Sequence, residues 1–227
     1  MYKRKPLFIT FEGIEGSGKS YQSKKLFNNI KKIKLPVYRT REPGGTINAE
    51  RIRKIILTDY FGNKKNEKFD KYTDTLLYLA ARNEHIKNRI KKLLLKKNIV
   101  ICDRFIDSTT AYQVYGKGVD KKLINIIHKH ILDGLKPDIT FILKVNITKA
   151  LKRLNKRKVK NRYDKFSKNF YIKVQKAFIK IAKMNKKRCI IIDNSKDNNF
   201  TENKVFDNFL KVFNKWQKRR KIILQYR

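Results

Sequence analysis

Cysteine is almost missing from this chain of 227 residues, with Cys102 and Cys189 the only two. Two isolated thiols exclude a disulfide framework and any zinc-ligand spacing, and they favour a reducing, cytoplasmic setting. Proline (4) and glycine (9) are sparse, and neither a repeat nor a Pro/Gly/Ser-rich linker divides the chain. A single domain over residues 1–216 is therefore expected, followed by a loosely held basic tail over 217–227. No apolar run approaches the roughly 18 residues of a membrane helix. The run Pro6–Phe11 behind the basic N-terminus is too short for a secretory signal. No membrane partner is expected. Acidic residues are scarce as well: 19 Asp and Glu stand against 58 Lys and Arg, a net charge of +39.

An excess of that size invites a nucleic-acid reading, because clustered cations release counterions from a phosphate backbone. Here the cations are spread over nearly the whole chain rather than clustered. The 43 lysines, 28 isoleucines and 20 asparagines all use A- and U-rich codons. Codon bias accounts for such a composition without selection for binding, and only non-specific adhesion to polyanions is expected from it.

Five short apolar runs read as buried strands: Leu7–Phe11, Val37–Thr40, Ile99–Cys102, Ile139–Val145 and Cys189–Ile192. Helical periodicity predicts helices over Lys19–Lys32, Thr46–Leu57, Tyr72–Lys96, Lys121–Leu132, Thr148–Arg157, Phe166–Met184 and Thr201–Trp216. Alternation of this kind predicts an α/β fold with a five-stranded, doubly wound parallel sheet flanked by helices. The stretch Lys152–Lys168 is almost wholly charged, offers few core positions, and is expected to depart from regular packing.

The sharpest local signal is Gly13-Ile14-Glu15-Gly16-Ser17-Gly18-Lys19-Ser20, which leaves the first strand and opens the first helix. This is G-x-x-x-x-G-K-[ST] in its required strand–loop–helix setting. Its glycines allow successive backbone N–H groups to face phosphate oxygens, and the helix N-terminus adds positive potential. Lys19 is expected to reach the β- and γ-phosphates of ATP, and the Ser20 hydroxyl to ligate Mg²⁺. Asp103 closes the third strand and is a candidate for holding the same Mg²⁺ through water. Arg104 follows it and offers a planar fork for a phosphate monoester. Tyr78 and Arg82, four residues apart, share a helix face suited to a flat base, although Tyr78 alone would read as a core aromatic. His128 and His130 read as structural residues of a basic helix away from these motifs.

Taken together, Glu12-Gly-Ile-Glu15-Gly-Ser-Gly-Lys-Ser20, Arg41-Glu-Pro-Gly-Gly-Thr46, Tyr78-Leu-Ala-Ala-Arg82 and Asp103-Arg-Phe-Ile-Asp-Ser-Thr-Thr-Ala-Tyr-Gln113 occur in an order that closely resembles bacterial thymidylate kinase. The resemblance runs from Phe8 to about Ile192 and implies the P-loop nucleoside monophosphate kinase fold. It implies phosphorylation of dTMP to dTDP by ATP and Mg²⁺ in dTTP synthesis, by a homodimer. Glu15 would lie near the sugar 3′-hydroxyl and the magnesium waters, Tyr78 under thymine, Arg82 on a thymine carbonyl and Arg104 on the dTMP phosphate. Arg41, Pro43, Ser108, Thr109, Tyr112 and Gln113 would complete the dTMP site. Residues 152–168 then resemble the family's lid, whose arginines stand in where the phosphate loop has none. Arg153 and Arg157 are the first candidates and Arg162 a third. The chain departs from the family pattern at Tyr21, Val114, Lys144 and Asn161.

Two other readings remain open at this point. A kinase for other nucleotides or deoxynucleosides could use Glu12 as a base toward a 5′-hydroxyl. A nucleic-acid-dependent P-loop ATPase would need a second motor motif, which the sequence does not supply.

Overall fold

The computed structural model describes residues 6–58, 69–158, 162–195 and 199–225, with the side chains of Lys165 and of 219–225 outside that description. The basic residues before Pro6 and the departure at Asn161 lie outside the described residues. Strands β1 (Phe8–Glu12), β2 (Val37–Arg41), β3 (Ile99–Asp103), β4 (Ile139–Lys144) and β5 (Cys189–Asp193) form one parallel sheet in the order β2-β3-β1-β4-β5. Every residue of β1 and β3 is buried, the polar Thr10, Glu12 and Asp103 among them, as the central strands of a two-faced sheet should be. β2 and β5 occupy the edges and are only partly buried.

Helices α1 (Lys19–Lys32) and α9 (Asn199–Gln225) cover one face, closing a core around Phe11, Leu26, Phe141, Phe209 and Phe213. On the other side lie α2 (Ile47–Leu57), α3 (Lys71–His85) and α6 (Lys121–Leu132). There too are α7 (Ile147–Asn155) and α8 (Lys168–Met184), whose Tyr171, Val174 and Phe178 fill a second core. Asp70, Asp120, Asn146 and Ser167 accept hydrogen bonds from N–H groups of the first turns of α3, α6, α7 and α8. α1 differs. It begins at Gly18 with no side-chain cap, which leaves its first N–H groups to the phosphate loop.

Three elements depart from the sequence expectation. The long helix after residue 71 passes through a π-helical turn (Ile86–Ile90) into α4 (Lys91–Leu95). A helix not expected at all, α5 (Ile106–Thr109), continues as a π-helical segment over Thr110–Gly116; its buried face is polar, so no apolar period marks it. Finally, α9 runs on past Trp216 to Gln225, so the first residues of the expected tail are helical.

The lid stretch carries more core than its charge suggests. Leu154 and Tyr163 are buried, and Tyr163 packs edge-on to Tyr78 and Phe166 at centroid distances of 5.9 and 5.1 Å.

Candidate active site

β1 and β3 are neighbours in register, with Phe11 opposite Asp103. The phosphate loop and the Asp103–Arg104 pair therefore emerge side by side at the carboxyl edge of the sheet, where doubly wound folds place ligands. The loop is pinned from outside. A Cβ on Gly16 would lie 2.5 Å from the Ala150 carbonyl oxygen, and φ there is +71°. Asn194 donates from Nδ2 to the Ser17 carbonyl at 2.8 Å. Asn194 belongs to no phosphate-loop pattern, so the sequence carried no signal for it.

Lys19 curls over the loop, donating from Nζ to the Ile14 carbonyl at 2.6 Å. Burial, aided by the charge of Arg104, pushes its ammonium down to about 7 against the pull of nearby carboxylates. Ser20 Oγ donates to Asp103 Oδ2, bringing together the two groups expected to hold Mg²⁺.

Arg104 occupies the left-handed region at φ 74°, a conformation uncommon for a side-chain-bearing residue and often found at working sites. The turn aims its guanidinium back across the loop. Nη1 donates to the Gly13 carbonyl and to Ser108 Oγ, each at 3.0 Å, and Nη2 to Glu15 Oε1 at 2.7 Å. Burial opposes the guanidinium charge, but Tyr112, Glu15, Asp103 and Glu12 hold its pKa above the usual arginine range. Tyr112 in turn donates from its hydroxyl to Glu15 Oε2.

Between these groups lies a cavity of about 200 Å³. Of the residues singled out in the sequence, Glu15, Lys19, Ser20, Arg41, Pro43, Tyr78, Arg82, Asp103, Arg104, Ser108, Thr109, Tyr112, Gln113 and Arg157 line it. Gly13, Ile14, Gly16, Ser17 and Gly18 contribute the loop beside it. The walls also include Arg53 and Tyr163, which the sequence reading missed. Arg53 donates from Nη1 to the Pro43 carbonyl at 2.7 Å; its lysine- and arginine-rich helix gave it no distinguishing signal.

Arg82 is almost fully buried, and its fork is largely engaged. Nε donates to Glu42 Oε2 at 2.7 Å, Nη1 to Thr109 Oγ1 at 2.6 Å, and Nη2 to the Phe105 carbonyl at 2.9 Å. A further contact corrects the sequence reading of His128 as remote: its Nε2 lies 2.9 Å from Arg82 Nη1. α6 buries that face against α3, a pairing invisible in either helix alone. His130 is exposed.

The three lid arginines part company. Arg153 donates from Nη1 to the Gly16 carbonyl at 3.0 Å, on the back of the phosphate loop. Arg157 reaches the cavity wall and pairs with Asp164 at 2.9 Å. Arg162 pairs with buried Asp74 instead.

Glu12 is fully buried and accepts from Phe105 N at 2.7 Å, Ser108 N at 3.3 Å and Ser108 Oγ at 2.6 Å. Burial and the neighbouring Asp107 raise its pKa, while those donors pull the other way. It braces the Arg104 turn from below and is not among the cavity-lining residues, which argues against a base acting on a sugar hydroxyl.

A phosphate loop facing an arginine-lined acceptor cavity across one sheet edge defines a P-loop nucleotide kinase. The thymidylate kinase family model matches residues 11–205. The chain is 45% identical over 205 residues to a thymidylate kinase of Wolbachia pipientis wMel, covering 88% of this chain and 98% of that protein. It is 40% identical over 193 residues to one from Mycoplasma capricolum, covering 84% and 88%. A crystal structure of the thymidylate kinase from Ehrlichia chaffeensis superposes with a TM-score of 0.71 at 37% identity, covering 91% of this chain and all of that one. This chain belongs to the thymidylate kinase family, the ATP:dTMP phosphotransferases.

Proposed function

We propose that this chain phosphorylates dTMP to dTDP with Lys19 on the ATP phosphates and Arg104 on the dTMP phosphate. The observation that carries the assignment is that both cations line one cavity, just past adjacent strand ends, together with Tyr78 and Arg82. The nucleophile needs no base. A phosphate monoester has its second pKa near 6 and is mostly a dianion at pH 7. What opposes reaction is the meeting of two polyanions, so the protein's work is positioning and charge neutralisation by Lys19, Arg104 and the lid arginines Arg153 and Arg157.

The Ser20 hydroxyl and Asp103 carboxylate form an all-oxygen donor set, which suits a hard cation such as Mg²⁺. Ser20 would ligate the ion directly and Asp103 through water, and the ion would offset negative charge on the ATP phosphates. Glu15, held by Arg104 and Tyr112, would face the deoxyribose, with Tyr112 crowding a 2′-hydroxyl. Arg41, Pro43, Ser108, Thr109 and Gln113 complete the pocket. We place the enzyme in the cytoplasm as a homodimer, a pairing that would cover exposed Leu76 of α3 and Ile126 of α6.

The deciding experiment is an ADP-release assay over dTMP, dCMP, dGMP and thymidine. Cytosine presents an amine where Arg82 needs an acceptor. Losing a hydrogen bond to a charged group costs about 1.5–3 kcal/mol, so dTMP should be favoured over dCMP by roughly ten- to a hundredfold. Equal turnover of dTMP and dCMP would remove the role of Arg82, and efficient turnover of thymidine would replace the proposed acceptor altogether.

A further inference from the structure

The guanidinium of Arg82 has five N–H groups. Four have partners: Glu42 Oε2, Thr109 Oγ1, His128 Nε2 and the Phe105 carbonyl. Among the described residues no further acceptor takes the second hydrogen on Nη2, and Arg82 lines the cavity. An arginine can only donate, so His128 must accept at Nε2 and carry its proton on Nδ1. Burial, reinforced by the Arg82 charge, drives the imidazole pKa down to about 3, which keeps that lone pair available at neutral pH. His128 also holds an unusual place. Its helix α6 buries Ile124 one turn earlier, and Leu79, Val119 and Ile124 form the apolar cluster beside it, so an aliphatic residue would suit the packing. What the imidazole adds there is an acceptor.

Glu42 is the opposing jaw. It is buried, its Oε2 takes Arg82 Nε, and its Oε1 lies 3.1 Å from His85 Nδ1. Arg82 and His85 hold the Glu42 carboxylate ionised despite its burial. With the carboxylate fixing one side of the guanidinium plane, rotation about that anchor is the freedom left to it. Three contacts at the far end of the fork oppose it: Thr109 Oγ1 and His128 Nε2 on Nη1 and the Phe105 carbonyl on Nη2, of which His128 is the one that comes from α6.

We propose that His128 is a positioning residue for acceptor recognition, setting the angle at which Arg82 presents its last N–H to the pyrimidine. The inference rests on the reading of Arg82 as the group that meets a thymine carbonyl. It assigns His128 no contact with substrate and no proton transfer.

The test compares His128→Gln, which keeps an acceptor near the position of Nε2, with His128→Met, which has similar volume and no comparable acceptor. Arg82→Met serves as the reference for complete loss. KM and kcat are measured for dTMP, dCMP and ATP. His128→Met should raise KM for dTMP by about tenfold, the loss of one charge-assisted hydrogen bond. It should also narrow the preference for dTMP over dCMP and leave KM for ATP unchanged. His128→Gln should restore most of both. If His128→Met and His128→Gln behave alike, or if KM for ATP rises as much as KM for dTMP, the positioning role is overturned and His128 is merely core. If Arg82→Met itself keeps full dTMP-over-dCMP preference, the reading of Arg82 fails and the inference falls with it. If only Arg82→Met loses preference, Arg82 stands and His128 does not.

Discussion

Arg104 Nη2 lies 2.7 Å from Glu15 Oε1, so the cation proposed for the acceptor phosphate is tethered to the loop proposed to hold ATP. The two halves of the site are thus one electrostatic unit. Glu15 orients the fork from the loop, Ser108 holds it at 3.0 Å from the helix that follows β3, and Glu12 braces Ser108 from beneath.

The division of labour between cations should be separable despite that tether. Lys19→Ala and Arg104→Ala should each lower kcat/KM by at least 10²–10³, on the order seen when one charge-stabilising donor is removed from an active site. Titration calorimetry should show Arg104→Ala losing dTMP affinity while ATP still binds, and Lys19→Ala the reverse. Loss of dTMP binding with intact ATP binding in the Lys19 variant would contradict the assignment.

Lys19 gives a pH signature with a definite sign. Its folded pKa of about 7 lies below the unfolded value, near 10.4 for a free lysine. Between those values the unfolded chain holds the extra proton, so this group's contribution to stability rises with pH across the window and is least favourable below pH 7. ATP phosphates brought against Lys19 should restore its charge. At pH 8, ATP binding should therefore take up close to one proton, measured as a dependence of binding enthalpy on buffer ionisation. Lys19→Met, titrated to ATP concentrations that saturate its weakened site, should lose that dependence; the same slope in both proteins would show that Lys19 is already charged.

Much of this arrangement was legible in the sequence because it rests on local signals. Buried strands announce themselves as apolar runs, α1 by the phosphate loop, and α3, α6 and α8 by their helical periodicity. What escaped notice depends on contacts between distant segments. α5 turns a polar face inward, toward Glu12 and Arg104, so no hydrophobic period reports it. His128 meets Arg82 only because α6 packs on α3. Tyr163 lies within a charged stretch, yet it is buried against Tyr78, and nothing in its neighbours marks it as a wall of the cavity.

The charge of +39 makes a prediction of its own. If it reflects codon usage, binding to duplex DNA should be weak and should collapse between low salt and about 150 mM, since it rests on counterion release. Kinase turnover at that salt should not respond to added duplex. Sequence-selective binding that survives salt, or ATP hydrolysis stimulated by DNA, would restore nucleic acid as a true partner.

The lid arginines should differ from one another in a way that follows from where they lie. Arg153 bonds the Gly16 carbonyl at 3.0 Å and stands 3.4 Å from the Asn194 carbonyl, so it supports the backbone of the loop proposed to hold ATP. Arg157 reaches the cavity itself, where Asp164 holds it at 2.9 Å. Arg153→Ala should therefore raise KM for ATP as well as lower kcat, because a ground-state support is lost together with a charge. Arg157→Ala should act mainly on kcat, the mark of a contact made chiefly in the transition state. Arginine fingers in related chemistry contribute about 10³–10⁵, but two neighbouring cations can cover for each other, so each single change should fall short of that range. The double variant should clearly exceed either one. Arg157→Lys should rescue only in part, since it keeps the point charge and loses the planar fork. Near-normal turnover in the double alanine variant would move the role to another cation. Arg162 is a poor replacement while Asp74 holds it, so the surrounding lysines would then be the ones to test.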